Sequence, residues 1–323
     1  MPEPCQKRRF DSILFVSIIP LLSDIVYRDL TNHDVIIVLY ALFMKDKYSA
    51  VWVSHSSIGD YLKCPRSYYL KNMYRDSKTN HKIMLMQPPL ALGQVVHEVV
   101  ESLSTISVAE RFIQPLTDRF EASWKTVSGT LGGFADSEEE HRYKTRGLSM
   151  IKRIADHPGP LTHKAIKIRQ DLPYYWLSEK ENIILCGKID WLEFLDETKS
   201  VHIIDFKTGK FDEDESSLQL PIYLLLASNC QKWPVTKMSY WYLDRDDKPS
   251  EMKLPDPKEA ENRVLTIAKQ ITLARKLEHF RCPKKDGCRD CRPYEAIISG
   301  RATFISVGGY SQDMYSLKRD IDI

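Results

Sequence analysis

Beyond position 50, apolar residues first recur at helical spacing. Residues 54–74 show this repeat behind Ser54 and Ser56, either of which can cap a helix. Pro65 lies inside the repeat and has no backbone N–H to donate, which predicts a kink or turn near Cys64. The pattern therefore predicts an interrupted helix with a cysteine at its break.

Helical spacing continues over two further stretches. We predict a helix over residues 90–103 and a helical region over 108–155 with a loop at 129–136. The charged run at 138–146 is typical of a solvated helix face. The first half of the chain is thus expected to be largely helical.

The pattern then changes to apolar, β-branched runs of strand length. These runs cover residues 165–176, 183–194 and 201–206 and predict three successive strands. A buried helix, a strand and a long amphipathic helix are predicted after them, over 218–227, 237–243 and 257–277. This order of elements predicts an α/β sandwich built on a mixed sheet.

The stretch before position 50 has a different pattern. Its two apolar runs, 13–22 and 35–44, are shorter than the ~20 residues that a membrane span needs. A basic cluster at 7–9 resembles the start of a signal peptide, but no small-residue cleavage site follows the first run. We therefore expect no membrane segment. Residues 1–50 are interpreted as an extension, and a chain that starts at Met44 is expected to fold and keep its activity.

Composition adds little about function but excludes some classes of protein. The chain has 323 residues, 46 Lys and Arg against 44 Asp and Glu, and 43% hydrophobic residues, which is ordinary globular composition. The net charge of +2 gives no global argument for a nucleic-acid or membrane partner. Seven cysteines are an odd and sparse set for a secreted disulfide framework, so we expect a cytoplasmic protein.

An acid and a lysine stand two positions apart at the end of a predicted strand. Asp205 and Lys207 of I-I-D-F-K-T-G point to one face, because side chains alternate along a strand. Asp190 ends a similar apolar run, and a hairpin would bring both carboxylates to one cation. Carboxylates that hold Mg²⁺ or Mn²⁺ beside an ammonium group suit metal-assisted phosphodiester hydrolysis. The alternative is a surface salt bridge at a strand end.

Two helical motifs add polar groups to this picture. His97 and Glu101 lie on one helical face in G-x-x-x-H-x-x-x-E, and imidazole is a ligand for metals such as Mn²⁺. Gln219 and Tyr223 share one face of an apolar helix, where a buried amide and phenol need a partner or a polar cleft. Each motif alone also fits ordinary structural side chains.

The cysteines form a third pattern. Cys282-x5-Cys288-x2-Cys291 lies in a loop rich in Lys, Arg, Gly and Pro, and Cys64 lies far upstream. A C-x2-C pair with a third cysteine nearby is typical of a zinc or iron–sulfur site. The remaining cysteines, at positions 5, 186 and 230, are interpreted as ordinary residues.

Together these motifs resemble the PD-(D/E)xK nuclease superfamily, and within it the RecB-type branch that includes the nuclease domain of AddB and the CRISPR adaptation nucleases. The resemblance runs from about residue 54 to 294 and rests on six motifs in family order. They are a C-P-R-S-Y-Y-L helix, G-x-x-x-H-x-x-x-E, G-x-I-D, I-I-D-x-K-T-G, Q-x-x-x-Y and the C-terminal cysteines.

The resemblance implies a restriction-endonuclease-like α/β fold. A mixed central β-sheet would be flanked by helices, with a helical insertion and a cysteine-cluster staple. We expect one nuclease domain over residues 51–311, with the insertion at 99–160 and the cysteine loop at 280–295. Residues 312–323 are expected to form a tail.

The resemblance also assigns a role to each motif. The catalytic Mg²⁺ or Mn²⁺ would be bound by His97, Asp190, Asp205 and the backbone carbonyl of Phe206. Lys207 would position the attacking water. Gln219 and Tyr223 would support the site and contact the DNA strand, and Glu101 would be a secondary helper.

The cysteines depart from the family pattern. The resemblance implies a [4Fe-4S] cluster, with Zn²⁺ as the alternative, on Cys64, Cys282, Cys288 and Cys291. The commoner family order, C-x2-C-x5-C, would place a cysteine at Ile297, and Cys282 can supply that thiolate instead. Trp191 stands where relatives often carry arginine, which removes one phosphate contact but no metal ligand.

The implied function is a metal-dependent DNA nuclease, with exonuclease favoured over endonuclease, acting in repair, recombination or defence. Its substrate would be DNA that is single-stranded or has free ends. Arg66, Tyr69 and Lys71 are candidate DNA contacts through charge and stacking, and a solvated basic face is the alternative. The sequence has no G-x4-G-K-[ST] loop, so unwinding would need a separate helicase or other repair or defence partner. A catalytically silent DNA-binding or structural module of a repair complex is the competing hypothesis.

Overall fold

Helices and strands alternate along residues 46–317, the part of the chain that the computed structural model describes. The helices are α1 (His55–Lys63), α2 (Pro65–Tyr68), α3 (Pro88–Ser102), α4 (Leu116–Trp124), α5 (Ser137–Asp156), α6 (Gln219–Cys230), α7 (Pro257–Lys276) and α8 (Arg292–Ile298). The strands are β1 (Val51–Val53), β2 (Lys82–Leu85), β3 (Tyr174–Ser178), β4 (Ile183–Cys186), β5 (Trp191–Leu195), β6 (Ser200–Lys207), β7 (Val235–Tyr242), β8 (Ser250–Met252), β9 (Thr303–Gly308) and β10 (Gln312–Ser316).

The central sheet has the strand order β5-β6-β7-β8. β5 and β6 pair antiparallel, β6 and β7 parallel, and β7 and β8 antiparallel. The predicted mixed sheet is therefore confirmed, as is the hairpin of the strands next to Asp190 and Asp205. Two smaller sheets have the orders β1-β4-β3 and β2-β10-β9.

Alternation along β6 divides the core into two layers. Ile204 and Phe206 pack in one apolar cluster with residues of α3, α4 and α5. Ile203 packs in the other with residues of α6 and α7. Because side chains alternate along a strand, Asp205 and Lys207 point to the α6 side of the sheet. The end of β6 therefore presents its polar side chains to the helix that carries Gln219.

The interrupted first helix is confirmed. The Ser54 side chain caps α1 by accepting a hydrogen bond from the Ser57 N–H, and Cys64 is extended between α1 and α2. Pro65 begins α2, since a helix tolerates a missing N–H in its first turn. A π-helical turn at Tyr69–Met73 follows. The cysteine thus stands at a sharp break between two short helices.

The charged run of α5 is not simply solvated. The indole N–H of Trp124 donates to Glu140 at 2.9 Å, and Arg146 donates to the Thr208 carbonyl at 2.6 Å. Gly147 permits the close approach of α4, because a Cβ there would lie 2.5 Å from Phe120 Cζ. The predicted solvated face is wrong for Glu140 and Arg146, and Arg146 ties the helical layer to the loop after β6.

Two predicted strands differ from the observed ones. Within 165–176, only an isolated bridge from Ala165 to Glu193 forms before β3 begins at Tyr174. The predicted strand 183–194 is two strands, because the chain leaves one sheet after β4 and enters the central sheet at β5. Local periodicity cannot show a change of sheet.

The expected tail is also corrected in part. Gln312–Ser316 form β10, which pairs parallel with β2 and antiparallel with β9. The expected cysteine loop ends at Arg292, where α8 begins. The expectations for residues 1–45 and 318–323 lie outside the described residues. Among the described helices, none combines the length and the apolar character that crossing a bilayer requires.

Candidate active site

The two predicted carboxylates meet at one end of the β5–β6 hairpin. Trp191 of β5 pairs with Ile204 of β6, so Asp190 comes opposite Asp205. Asp190 Oδ2 accepts a hydrogen bond from the Phe206 N–H at 2.9 Å, which fixes this carboxylate against β6. The hairpin therefore brings together two acids that are fifteen positions apart in the sequence.

α3 brings a histidine and a third acid to the same end of the hairpin. His97 Nδ1 lies 3.3 Å from Glu101 Oε1 and 3.4 Å from Asp190 Oδ2. One ligand atom from each of these residues lies within 4.8 Å of the others, close enough for one metal ion. Lys188 forms an ion pair with Glu101. Glu101, expected as a secondary helper, is thus as close to His97 as Asp190 is.

Asp205 is buried, with 1% of its surface exposed. Its Oδ1 accepts a hydrogen bond from Gln219 Nε2 at 2.6 Å. Its Oδ2 forms an ion pair with Lys207, whose Nζ lies 2.9 Å away, although the angles of this contact fall outside those of a hydrogen bond. A buried carboxylate needs positive charge or donors around it, and a metal ion would add to the charge that Lys207 supplies.

Lys207 is held by three side chains. It forms an ion pair with Asp205 and a second with Glu213, whose Oε2 lies 3.0 Å from Nζ, and it donates to Gln219 Oε1. Gln219 Nε2 lies 3.4 Å from the Tyr223 hydroxyl. The predicted set of lysine, glutamine and tyrosine is therefore one connected group. Glu213 was missed in the sequence because it is one of several acids in a polar loop.

Burial raises the pKa of both aspartates. Burial, together with the charge of Asp205, raises the pKa of Asp190 to about 8. Burial also raises the pKa of Asp205, against the opposing effect of Lys207. Burial alone would lower the pKa of His97, but Glu101 and Asp190 together raise it to about 9. Asp190, Asp205 and Glu101 thus share the positive charges of His97, Lys188 and Lys207.

These residues fit a hard divalent cation. Carboxylate oxygens suit Mg²⁺ and Mn²⁺, and one imidazole is compatible with Mn²⁺. The raised pKa values of Asp190 and Asp205 both reflect the burial of negative charge that the surrounding cations offset only in part. A bound cation would lower these pKa values by stabilising the ionised carboxylates.

The four predicted cysteines also converge. The Sγ atoms of Cys64, Cys282, Cys288 and Cys291 all lie within 4.8 Å of one another, and those of Cys288 and Cys291 are 3.8 Å apart. Ile297 is buried elsewhere, in a cluster with Ile83 and Leu85. Cys282 therefore occupies the place that the resemblance would give to a cysteine at position 297.

The predicted DNA contacts near this cluster are engaged inside the protein. Arg66 Nε donates to Glu295 at 2.5 Å, and its guanidinium lies 5.3 Å from the Tyr69 ring centroid. Lys71 Nζ donates to Asp60 at 2.7 Å. These contacts join α2 to α8 and the π-helical turn to α1, so the charges are already compensated. Their role in DNA binding stays a prediction.

A second polar chain looks catalytic but is enclosed. Ser239 Oγ lies 2.7 Å from His202 Nε2, and His202 Nδ1 lies 2.7 Å from Glu193, as in a hydrolase triad. Ser239 is only 1% exposed, so no substrate can reach its hydroxyl. Glu193 also contacts His163. We interpret the chain as a satisfied polar network across β5, β6 and β7.

Residues 52–297 match the family model of the PD-(D/E)XK nuclease superfamily. The chain belongs to this superfamily. The resemblance drawn from the motifs is thereby confirmed at the level of the superfamily, and the mixed sheet between helices is its restriction-endonuclease-like fold. A search of curated proteins finds no match. Members of this superfamily are nucleases, so the carboxylates at the β5–β6 hairpin and Lys207 form the candidate nuclease site.

Proposed function

We propose that this PD-(D/E)XK protein is a divalent-metal-dependent deoxyribonuclease that acts on DNA ends. One observation carries the proposal: His97, Asp190, Asp205 and Lys207 converge at one end of the β5–β6 hairpin, where His97 lies 3.4 Å from Asp190 and buried Asp205 lies 2.9 Å from Lys207. We further infer a RecB-type exonuclease of DNA repair, recombination or defence, and a cytoplasmic setting. These inferences rest on the order of the sequence motifs.

The residues divide the work of hydrolysis among them. His97, Asp190, Asp205 and the Phe206 carbonyl would hold Mg²⁺ or Mn²⁺, with Glu101 beside them. The bound ion would polarise the scissile phosphate and acidify a water. Lys207 would orient that water and offset developing charge. Gln219 holds Asp205 and Lys207 in position by bonding to both side chains.

The test is cleavage of end-labelled DNA by the full chain with Mn²⁺ or Mg²⁺. We expect linear single strands to be shortened from an end and circular single strands to survive. Blocking the 5′ or the 3′ end then gives the polarity. If the chain cuts no DNA, and Asp205→Ala and Lys207→Ala change no measured property, the enzyme proposal is wrong. The alternative, a catalytically silent DNA-binding module, is then favoured.

At the cysteines we propose a single zinc ion in preference to an iron–sulfur cluster. Zn–S bonds of ~2.3 Å in a tetrahedron place thiolates about 3.8 Å apart. Cys288 and Cys291 Sγ are 3.8 Å apart, and all four sulfurs lie within 4.8 Å. A four-iron cluster puts each thiolate on a different iron and spreads the sulfurs farther. We expect colourless protein with one zinc per chain; brown protein with iron and acid-labile sulfide after anaerobic purification would support the cluster.

Stabilisation by the catalytic metal is expected to depend on pH. Metal binding requires ionised carboxylates, and the pKa of Asp190 is raised to about 8 without metal. In the metal-free protein, the raised pKa of Asp190 adds to the free energy of unfolding. This stabilisation is complete below pH 3.8, the pKa of the residue in the unfolded chain, and is lost as the pH rises towards 8. Mn²⁺ should therefore raise the melting temperature more at pH 8 than at pH 6. Equal shifts at both pH values in thermal melts would contradict this.

Glu213 is expected to act on catalysis through Lys207. In Glu213→Gln, Lys207 keeps its contacts with Asp205 and Gln219 but loses its ion pair with residue 213. Its ammonium group is therefore less well fixed. We expect kcat to fall about 10-fold with an unchanged KM for DNA, as for loss of a transition-state contact. Glu213→Asp should recover part of kcat. A Glu215→Gln control alters an exposed acid of the same loop and should have no effect.

A further inference from the structure

An open cleft adjoins the candidate active site. It has a volume of about 720 Å³, and Asp190 and Glu101 line one part of it. The segment 166–171, which follows the bridge to β5, lines another part, and Tyr310 lines a third. Because Asp190 and Glu101 line it, the cleft is continuous with the candidate active site. A DNA strand whose phosphate reaches Asp190 can extend into this cleft.

Two cations in the cleft are uncompensated. Lys167 and Arg169 are exposed and line the cleft, and neither makes an ion pair within residues 46–317. Lys188 also lines it, paired with Glu101. The acids that line the cleft are Glu98, Glu101, Asp171 and Asp190, of which Glu101 pairs with Lys188. Free cations beside a phosphodiesterase site suit the backbone of a nucleic acid.

Tyr310 stands at the tip of the β9–β10 hairpin. Its ring is 96% exposed, so it contributes almost nothing to the core. Its φ of +57° lies in the left-handed region that glycine or asparagine occupies more readily than tyrosine. Ser311 shares this left-handed conformation at the hairpin turn, with a φ of +54°. The turn therefore holds the Tyr310 ring out in solvent, where it is available for a contact outside the folded chain. A base can stack on such a ring.

Resting on the nuclease function above, we propose that this cleft is the path of single-stranded DNA to or from the catalytic site. Lys167 and Arg169 contact its phosphates, and the Tyr310 ring stacks on one base. Stacking does not depend on the identity of the base, so the path accepts any sequence. These residues position the substrate and take no part in the chemistry.

Binding is tested with the full chain carrying Asp190→Asn, which prevents cleavage, and a fluorescent 20-nucleotide oligo-dT. Lys167→Ala with Arg169→Ala should lower the slope of log K against log salt by about 1.4, at ~0.7 per phosphate contact. Tyr310→Asn, which suits the left-handed turn, should weaken binding about 10-fold, and Tyr310→Phe should not. The control pair is Lys248→Ala with Lys253→Ala, two exposed lysines either side of β8, at the opposite edge of the central sheet.

Cleavage by the otherwise native chain separates the two proposals. The cleft variants should raise the KM for single strands with kcat unchanged, because they remove uniform binding. If the native chain cuts and binds DNA but the cleft variants have the same DNA affinity and KM as the control pair, the proposed DNA path is wrong and the nuclease function stands. A native chain that neither cuts nor binds DNA would overturn the proposed function. Equal losses on single strands and on a blunt duplex would overturn the single-strand assignment.

Discussion

Asp190→Asn is expected to abolish DNA hydrolysis and yet stabilise the metal-free protein. The variant loses a proposed metal-binding carboxylate, and the expected loss of about 10³-fold in kcat/KM corresponds to ~4 kcal/mol of transition-state stabilisation. The amide oxygen of asparagine can still accept the Phe206 N–H, which Asp190 binds at 2.9 Å. The local backbone is thus expected to keep its hydrogen bond.

The stability gain in this variant has a defined pH dependence. Burial and the charge of Asp205 raise the pKa of Asp190 to about 8 from the model-compound value of 3.8. A raised pKa means that the neutral form favours folding, so ionisation weakens the native protein as the pH rises from 4 to 8. Asparagine stays neutral, and its advantage should grow over this range to about 1–3 kcal/mol at pH 8.

Urea unfolding of metal-free protein at pH 5 and pH 8 measures this gain, alongside cleavage assays. Asp196→Asn is the matched control, because Asp196 lies in the turn at the other end of the same hairpin and is 73% exposed. It should change neither activity nor stability. Asp190→Asn protein that keeps a tenth of the activity would contradict the assignment of Asp190 as a ligand. Destabilisation of the metal-free variant at pH 8 would contradict the raised pKa of Asp190.

Cys64→Ser is expected to release the cysteine-bound metal and lower the melting temperature by about 10 °C or more. A structural metal site contributes folding free energy directly, and ~1 kcal/mol corresponds to ~2–4 °C at 150–250 residues. Without metal, burial raises the pKa of the Cys64 thiol to about 12. Formation of the thiolate at neutral pH therefore depends on the bound cation.

The Cys64→Ser protein should still fold, because other contacts join the same segments. Arg66 pairs with Glu295, 229 positions away, and Ser67 donates to the Asp290 carbonyl at 3.0 Å. Metal analysis and thermal melts test the prediction. Cys230→Ser is the control, since that thiol donates to the Tyr174 carbonyl and lies outside the cluster. Cys64→Ser protein with full metal content would exclude Cys64 as a ligand.

Sequence patterns predicted the parts of the site that depend on short spacings. Alternation in β6 places Asp205 and Lys207 on one face, and the spacing in α3 places His97 beside Glu101. C-x2-C spacing likewise brings Cys288 and Cys291 together. These relations follow from the repeat of a single strand, helix or turn, so a local pattern is sufficient.

Contacts between distant segments could not be predicted in this way. Glu213 reaches Lys207 from an acidic loop whose other carboxylates point elsewhere, and nothing in its neighbours distinguishes it. The chain changes sheets between β4 and β5, although the sequence reads as one strand. Tyr310 comes to the active-site cleft because β10 pairs with β2, a pairing that contradicts the expected tail.

The available chemistry follows from the sequence alone: two carboxylates, a lysine, a histidine and four thiols stand in recognisable local settings. Their combination depends on the fold. The fold brings Asp190 to His97 and Glu101, buries Asp205 beside Lys207 and Gln219, and places Cys282 with the other three cysteines. Residue spacing fixes direction within one element, whereas distances between elements depend on packing of the whole core.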